Sequence, residues 1–390
     1  MGTTRPRVDA ATQAGTPAGD HLSEHPYFTP WTDPASGVVS YVLTERVAPV
    51  QQSFYFTNPS VSADERWLWF YAAFPPSRHL TLGVVSLDPA RPLIRHFPGA
   101  GFSEESPLVA PEGDAAYFCL ETGVWRQPIA GEAELVCQLD EAWVNHRPLH
   151  RLATHLTLSA DGRHFLLDGH IGGHWFVGLG DRAAGTVTIL KEFAQNYDHG
   201  QFSPHDPGLF LIAQDWWHDP ISGQRFLFDH RTWLMDTAQT RFEPIRAQGW
   251  FRHGAAASHE WWSADGLVCW VDYAAGAFEC DPATGEARPV WPGPLCHAHC
   301  DPTRRYWCAD QSPYTWTSTG CQVRFYDRER DRVTVIASAL PLPPYPRSQY
   351  HTDPHPQFSP RGTWITYTTT VHGKVDVALT PVGRLKGGAG

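Results

Sequence analysis

Ser159-Ala-Asp-Gly-Arg163, running straight into His164-Phe-Leu-Leu-Asp168, reads as a tight turn that feeds a buried strand. The pattern returns along the chain. It stands as Ser62-Ala-Asp-Glu-Arg66 before Trp67-Leu-Trp-Phe-Tyr71, and as Ser359-Pro-Arg-Gly-Thr363 before Trp364-Ile-Thr-Tyr367. Ala110-Pro-Glu-Gly-Asp114, Ser203-Pro-His-Asp-Pro207, Ser263-Ala-Asp-Gly-Leu267 and Asp301-Pro-Thr-Arg-Arg305 are further copies. A spacing of about 50 residues is the period of four-stranded propeller blades. The expected fold is therefore all-β: a seven-bladed β-propeller of four-stranded antiparallel blades.

Composition agrees. The 33 Gly and 34 Pro suit many short strands and turns, and 17 Trp, 13 Tyr and 20 Phe supply bulky residues for packing one sheet on the next. The repeat covers nearly the whole chain, so one closed domain is expected over residues 26–383. Residues 1–25 and 384–390 read as flexible ends. Gly37-Val-Val-Ser-Tyr-Val-Leu-Thr44 and Val375-Asp-Val-Ala-Leu379 are expected to share the blade that closes the ring. Closure leaves few exposed strand edges.

The charge balance excludes one large class of partners. With 30 Lys+Arg against 41 Asp+Glu the net charge is −11, which disfavours nucleic acid. An anionic small substrate remains compatible, because a local cluster of Arg, His and metal outweighs a distant acidic surface. Neither a signal peptide nor a membrane span is legible, so the expectation is a cytoplasmic protein with no membrane partner. Most of the 8 cysteines then read as reduced, buried, small apolar residues. Cys296-His-Ala-His-Cys300 stands apart, since two thiols and two imidazoles in so short a run can hold zinc. Two cysteines on one strand face and two histidines on the other is the plainer reading.

Histidines carry the functional signal. His155, His199, His259, His297 and His355 each stand four residues before a repeat turn. In a propeller that offset lies on the innermost strand, so the set would surround one funnel. Side chains alternate along a strand, which puts His297 with His299, and His351 with Asp353 and His355. Imidazole and carboxylate ligands of this kind suit manganese, zinc or a similar divalent ion. A structural histidine that bonds between blades is the competing account of any one of them.

At these segments the chain resembles a known group. Ser258-His-Glu-Trp-Trp-Ser-Ala-Asp-Gly266 and His351-Thr-Asp-Pro-His-Pro-Gln-Phe-Ser-Pro360 resemble signature segments of the oligogalacturonate lyases, seven-bladed propellers that cleave uronic-acid oligosaccharides by β-elimination. Asn196-Tyr-Asp-His-Gly-Gln-Phe-Ser-Pro204 and Tyr27-Phe-Thr-Pro-Trp-Thr-Asp-Pro34 are similar to the related ulvan-lyase propellers. The first resemblance implies His259 as the base and a metal held by His297, His351, Asp353 and His355. Asp353 stands where that family has a second histidine, and Tyr350 where it has glutamine, with Gln349 and His351 next door. The second resemblance implies that His155, His174, His199 and Arg231 touch the uronate while zinc is structural.

The chemistry explains the residue types. β-Elimination removes the C5 proton of a uronate and expels the C4 oxygen. That proton is weakly acidic beside an ionised carboxylate, so a metal or arginine must neutralise the carboxylate and the charge that develops. Imidazole, with an ordinary pKa of about 6.5, is a suitable base. Of the Trp216-Trp217 and Trp261-Trp262 pairs, one member each is expected in the core and the other is available to stack on sugar. The expected partner is an anionic uronate-containing oligosaccharide. Two other readings compete: a propeller that only binds proteins, and a metal-dependent hydrolase with Asp353 or Glu260 as its base. Strand alternation turns Glu260 away from His259, which weakens the hydrolase.

Overall fold

The structure is a computed structural model describing residues 21–102, 106–219, 221–311, 321–345 and 347–387. Its described residues are nearly all strand, turn or loop. The all-β expectation holds, and the arrangement is propeller-like.

Most sheets are built from consecutive strands paired as antiparallel neighbours. Trp67–Ala73 pairs with Leu80–Ser86 over its full length, from Trp67↔Ser86 to Ala73↔Leu80. The turn residues do what their chemistry suggests. Asp64, Asp161 and Asp265 each accept a hydrogen bond from the serine two residues before, which folds the tip before the next strand starts. Strand interiors are apolar on both faces, because both faces pack against neighbouring sheets. Phe165, Leu166 and Leu167 are all fully buried, for example.

The expected count of seven separate four-stranded blades needs correction. Four sheets have four strands and one has five, giving five separate blade-like sheets. Residues 108–193 instead form one continuous nine-stranded sheet. It is continuous because Glu134–Gln138 and Thr186–Phe193 meet as parallel neighbours at Gln138↔Thr186. A further two-stranded ribbon, Trp217–His218 with Arg225–Phe226, is inserted between two strands of the 197–244 sheet.

Apolar clusters join each sheet to the next. One packs Val323, Phe325 and Ile336 against Phe358, Ile365 and Tyr367. Another packs Tyr41 and Leu43 with both Leu68 and Val377, linking the two ends of the chain. The expected closure is present: Val39–Leu43 pairs with Asp376–Pro381 through Tyr41↔Leu379 and Val42↔Ala378.

The folded part reaches beyond residues 26–383. His21–Glu24 is a short 3-10 helix with Leu22 fully buried, and Val382–Lys386 is helical with Leu385 buried. These anchoring leucines are why the expected flexible segments were drawn too wide. The remainder of those segments, 1–20 and 388–390, lies outside the described residues. Among the described residues no helix is long and apolar enough to cross a membrane.

Candidate active site

Most of the chosen histidines come together, His199 and His259 from inner strands, and His297, His351 and His355 from the segments just before Ala298–Cys300 and Gln357–Phe358, where the expected strand has not yet begun. His199, His259, His351 and His355 have φ of 55°, 51°, 48° and 46°. The left-handed region is unusual for a residue with a Cβ. At His199 and His259 it coincides with register shifts, between Asp198 and Gln201 and between Ser258 and Trp261. Each is a β-bulge that swings a side chain out of the alternating pattern. This explains why Glu260 does not turn away as expected. It is 1% exposed and pairs with Arg231 in the same interior as His259.

At the hub stands Tyr55, which no repeat or motif singles out. Its ring stacks on His155 at 4.8 Å and 13°. It also lies 4.8 Å from the His355 ring, 5.8 Å from His297, 6.0 Å from His351 and 6.5 Å from His259. Burial raises its pKa well above the ordinary phenol value, so the hydroxyl stays protonated.

His297, His351, Asp353 and His355 present ligand atoms within 4.8 Å of one another. This is the set chosen from the sequence as metal ligands. His351 is half exposed and its Nε2 is 3.0 Å from Asp353 Oδ2. His297 is fully buried, and Asp310 fixes its ring through Nδ1 at 2.9 Å. Nε2 is thereby left as the coordinating atom, and such carboxylate–histidine pairs are the usual support of a bound metal. His299, expected on the same face, takes a structural role instead: its Nδ1 accepts the Phe358 N–H at 3.1 Å. Burial lowers its pKa to about 4, consistent with a neutral acceptor. Of the two cysteines in the Cys296–Cys300 run, Cys296 forms a group with His259 and His297 that could hold a metal.

His259 sits next to this set, stacked on His297 at 4.1 Å. Its Nδ1 is 2.5 Å from the Cys296 carbonyl oxygen, and its Nε2 is 3.3 Å from the Tyr273 hydroxyl. A carbonyl only accepts, so Nδ1 carries the proton and Nε2 keeps its lone pair. Burial, then His297, holds its pKa well below the usual value.

A third group lies on the other side of Tyr55. His199 Nδ1 is 2.6 Å from Asp198 Oδ1. Burial alone would lower the His199 pKa, but the Asp198 carboxylate outweighs it and the pKa is raised. His155 packs edge-on to His199 at 5.0 Å. It is 3% exposed, neither ring nitrogen has a hydrogen-bond partner, and burial with His199 beside it drives its pKa well down. Arg231 is 5% exposed, paired with Asp215 at 2.6 Å and with Glu260 at 3.1 Å. Its charge is close enough to His155, His199 and His259 to act on all three, opposing their protonation. His174 is at the exposed start of its strand, opposite Ile171, and is not brought into the cluster.

A cavity of about 430 Å³ opens beside these groups. His155, His199, His351 and His355 line it together with Tyr55 and Thr154. Arg78 and Arg151 add positive charge to its walls, and Gln349 and Tyr350 close one side. Arg151 is held only loosely, 3.6 Å from Asp198. His259 and His297 do not line it, whereas Tyr55, whose ring is 6.5 Å and 5.8 Å from theirs, does. Trp216 is 45% exposed, whereas Trp261 is 1% exposed and belongs to the core.

No protein-family model and no curated protein matches the chain. Solved structures do. An oligogalacturonate lyase in complex with manganese superposes with a TM-score of 0.69 at 18% identity, covering 91% of this chain and 96% of that one. The oligogalacturonate lyase of Vibrio parahaemolyticus gives a TM-score of 0.72 at 14% identity, with the same coverage of 91% and 96%. The chain thus has an oligogalacturonate lyase-like fold. The ulvan-lyase likeness remains one of short sequence segments.

Proposed function

We propose that the chain is a uronate lyase, acting on uronic-acid oligosaccharides by β-elimination to give unsaturated uronate products. The observation that carries this reading is the meeting of His297, His351, Asp353 and His355 within 4.8 Å beside a cavity lined by further histidines and arginines. The fold shared with two oligogalacturonate lyases supports it. We further read the nine-stranded sheet as two blades whose outer strands touch at one point, which makes seven blades in the ring.

The four-residue group fits a divalent ion in its donor chemistry: three imidazoles, one carboxylate and a second carboxylate behind His297. Manganese is the first choice, because a structural neighbour is a manganese complex, with zinc the alternative. When bound, the ion would neutralise the substrate carboxylate and the charge that develops on it. The remaining steps belong to the side chains. His259 Nε2 takes the C5 proton, with Nδ1 held by the Cys296 carbonyl. The C–H electron pair forms the C4–C5 double bond, and the C4 oxygen leaves as a hydroxyl, taking a proton from the cavity-lining Tyr55 or from water. Arg78 and Arg151 are placed to hold anionic groups along the cavity.

A second assignment has its own observation. His155 and His199 line the cavity while His259 does not, and their surroundings push their pKa values in opposite directions. Such splitting marks an acid–base pair, with His155 as neutral base and His199 as acid.

Ultraviolet absorbance during incubation with oligogalacturonate, ulvan and glucuronate-containing oligosaccharides tests the function. A rise on one substrate, lost with chelator, is expected. No rise on any of them, with no metal bound, would favour a propeller that only binds other proteins.

A further inference from the structure

We propose a second metal site, made by Cys296, His259 and His297, that takes soft divalent ions such as zinc or cadmium and excludes occupation of the first. Cys296 Sγ is 3.9 Å from His259 Nδ1 and 3.9 Å from His297 Nε2. All three ligand atoms lie within 4.8 Å of one another. Zinc bound to sulfur at about 2.3 Å and to nitrogen at about 2.0 Å in tetrahedral geometry spaces its ligands roughly 3.5 Å apart. Small side-chain adjustments therefore close the site, with a fourth position left for water.

The two sites share one ligand. Asp310 fixes His297 so that only Nε2 is offered, and one nitrogen coordinates one ion at a time. On one side of that nitrogen stand His351, Asp353 and His355, an oxygen-and-nitrogen set suited to manganese. On the other stands a thiol, which a softer ion prefers. Choice between the sites is thus a choice between classes of ion.

Occupation of the sulfur site has a chemical consequence, which rests on the reading of His259 as base. The thiol loses its proton to solvent. His259 must give up its bond to the Cys296 carbonyl, because Nδ1 now donates its lone pair to the ion. The imidazole stays neutral only by carrying its proton on Nε2. That is the atom needed to accept the C5 proton, so a soft ion here silences the base through its tautomer.

Cadmium-113 is the probe, and turnover is not needed to read it. The purified protein titrated with cadmium should show the ultraviolet charge-transfer band of a cadmium thiolate. Its cadmium resonance should fall in the range of mixed thiolate and nitrogen ligands. His351→Ala, which damages only the first site, should keep the band, and Cys296→Ser should lose it. A resonance confined to the nitrogen and oxygen range, or a band that survives in Cys296→Ser, overturns the site. If Cys296→Ser does not fold, the resonance of the unaltered protein decides alone. These spectra stand whatever the substrate proves to be, so failure of the lyase reading and failure of this site are separately visible.

Discussion

Asp310 Oδ2 is 2.9 Å from Nδ1 of His297, and the same atom accepts the backbone N–H of His355 at 3.2 Å. Its Oδ1 accepts the backbone N–H of His297 at 2.8 Å. One buried carboxylate therefore sets the position of two proposed ligands that come from successive sheets. Asp310→Asn keeps the size of the side chain but weakens the grip on Nδ1. We expect manganese affinity to fall about 10- to 100-fold, the range for loss of such a support. Calorimetric titration of the metal-free protein checks this, and unchanged affinity would refute it.

Arg231 is the keystone of a buried charge group. Replacing it with methionine leaves Asp215 beside an uncompensated Glu260 that is 1% exposed. Breaking a buried pair by removing one partner costs about 3–5 kcal/mol. Urea unfolding of Arg231→Met should show a loss of that size. The double variant Arg231→Met/Glu260→Gln should recover part of it, because the stranded charge is then gone.

The Asp198–His199 pair gives a pH-dependent contribution with a definite window. The His199 pKa is raised from 6.5, so its contribution is complete below that value and fades as pH rises through the folded-state pKa. Burial opposes ionisation of Asp198, but His199 and the arginines win and its pKa is lowered from 3.8. Its contribution is complete above that value and is lost as pH falls. The difference in Tm between the unaltered protein and Asp198→Asn should be largest between about pH 4 and about pH 6.5, and shrink on both sides. A difference that grows steadily up to about pH 9 would contradict the assignment.

The two assignments of the base separate by mutation. If His259 is the base, His259→Ala should lower kcat about 100- to 10,000-fold, the usual worth of a general base. His155→Ala should then act mainly on KM. If His155 and His199 are the acid–base pair, the order reverses. His174→Ala, altering an exposed side chain outside the cavity lining, should change turnover far less than either.

What the sequence made legible was whatever repeats. The turns carry their own chemistry at a fixed interval, so strand order and ring closure followed from them. The histidines share an offset from those turns, which places His199 and His259 within inner strands and His297 and His355 in the segments leading into Ala298–Cys300 and Gln357–Phe358. The join at Gln138↔Thr186 was not legible, because a single contact between outer strands leaves no periodic trace. Glu260 was misplaced for a related reason. Alternation assumes a regular strand, and the left-handed φ of 51° at His259 breaks it. Tyr55 sits in a loop beyond its sheet's first strand, where no pattern points. Asp310 did leave a signal that went unread. Asp168, Asp272 and Asp310 follow His155, His259 and His297 at one common offset, each within or at the end of an apolar strand. Asp168 likewise accepts the N–H of Gly200 from the next sheet. At Asp168 and Asp310 the carboxylate ties neighbouring sheets, whereas Asp272 accepts from Ala256, Ala274 and Ala275 beside its own strand; at Asp310 the tie also positions a proposed ligand.

The pairing of Val39–Leu43 with Asp376–Pro381 has a consequence for biosynthesis. The first of these strands is made long before the second and must wait for it. His351, Asp353 and His355 emerge only shortly before that second strand. A nascent chain can stack its earlier sheets as they appear, yet it cannot assemble the proposed metal centre until the late sheet docks. The proposed centre would thus be completed only when the ring itself closes.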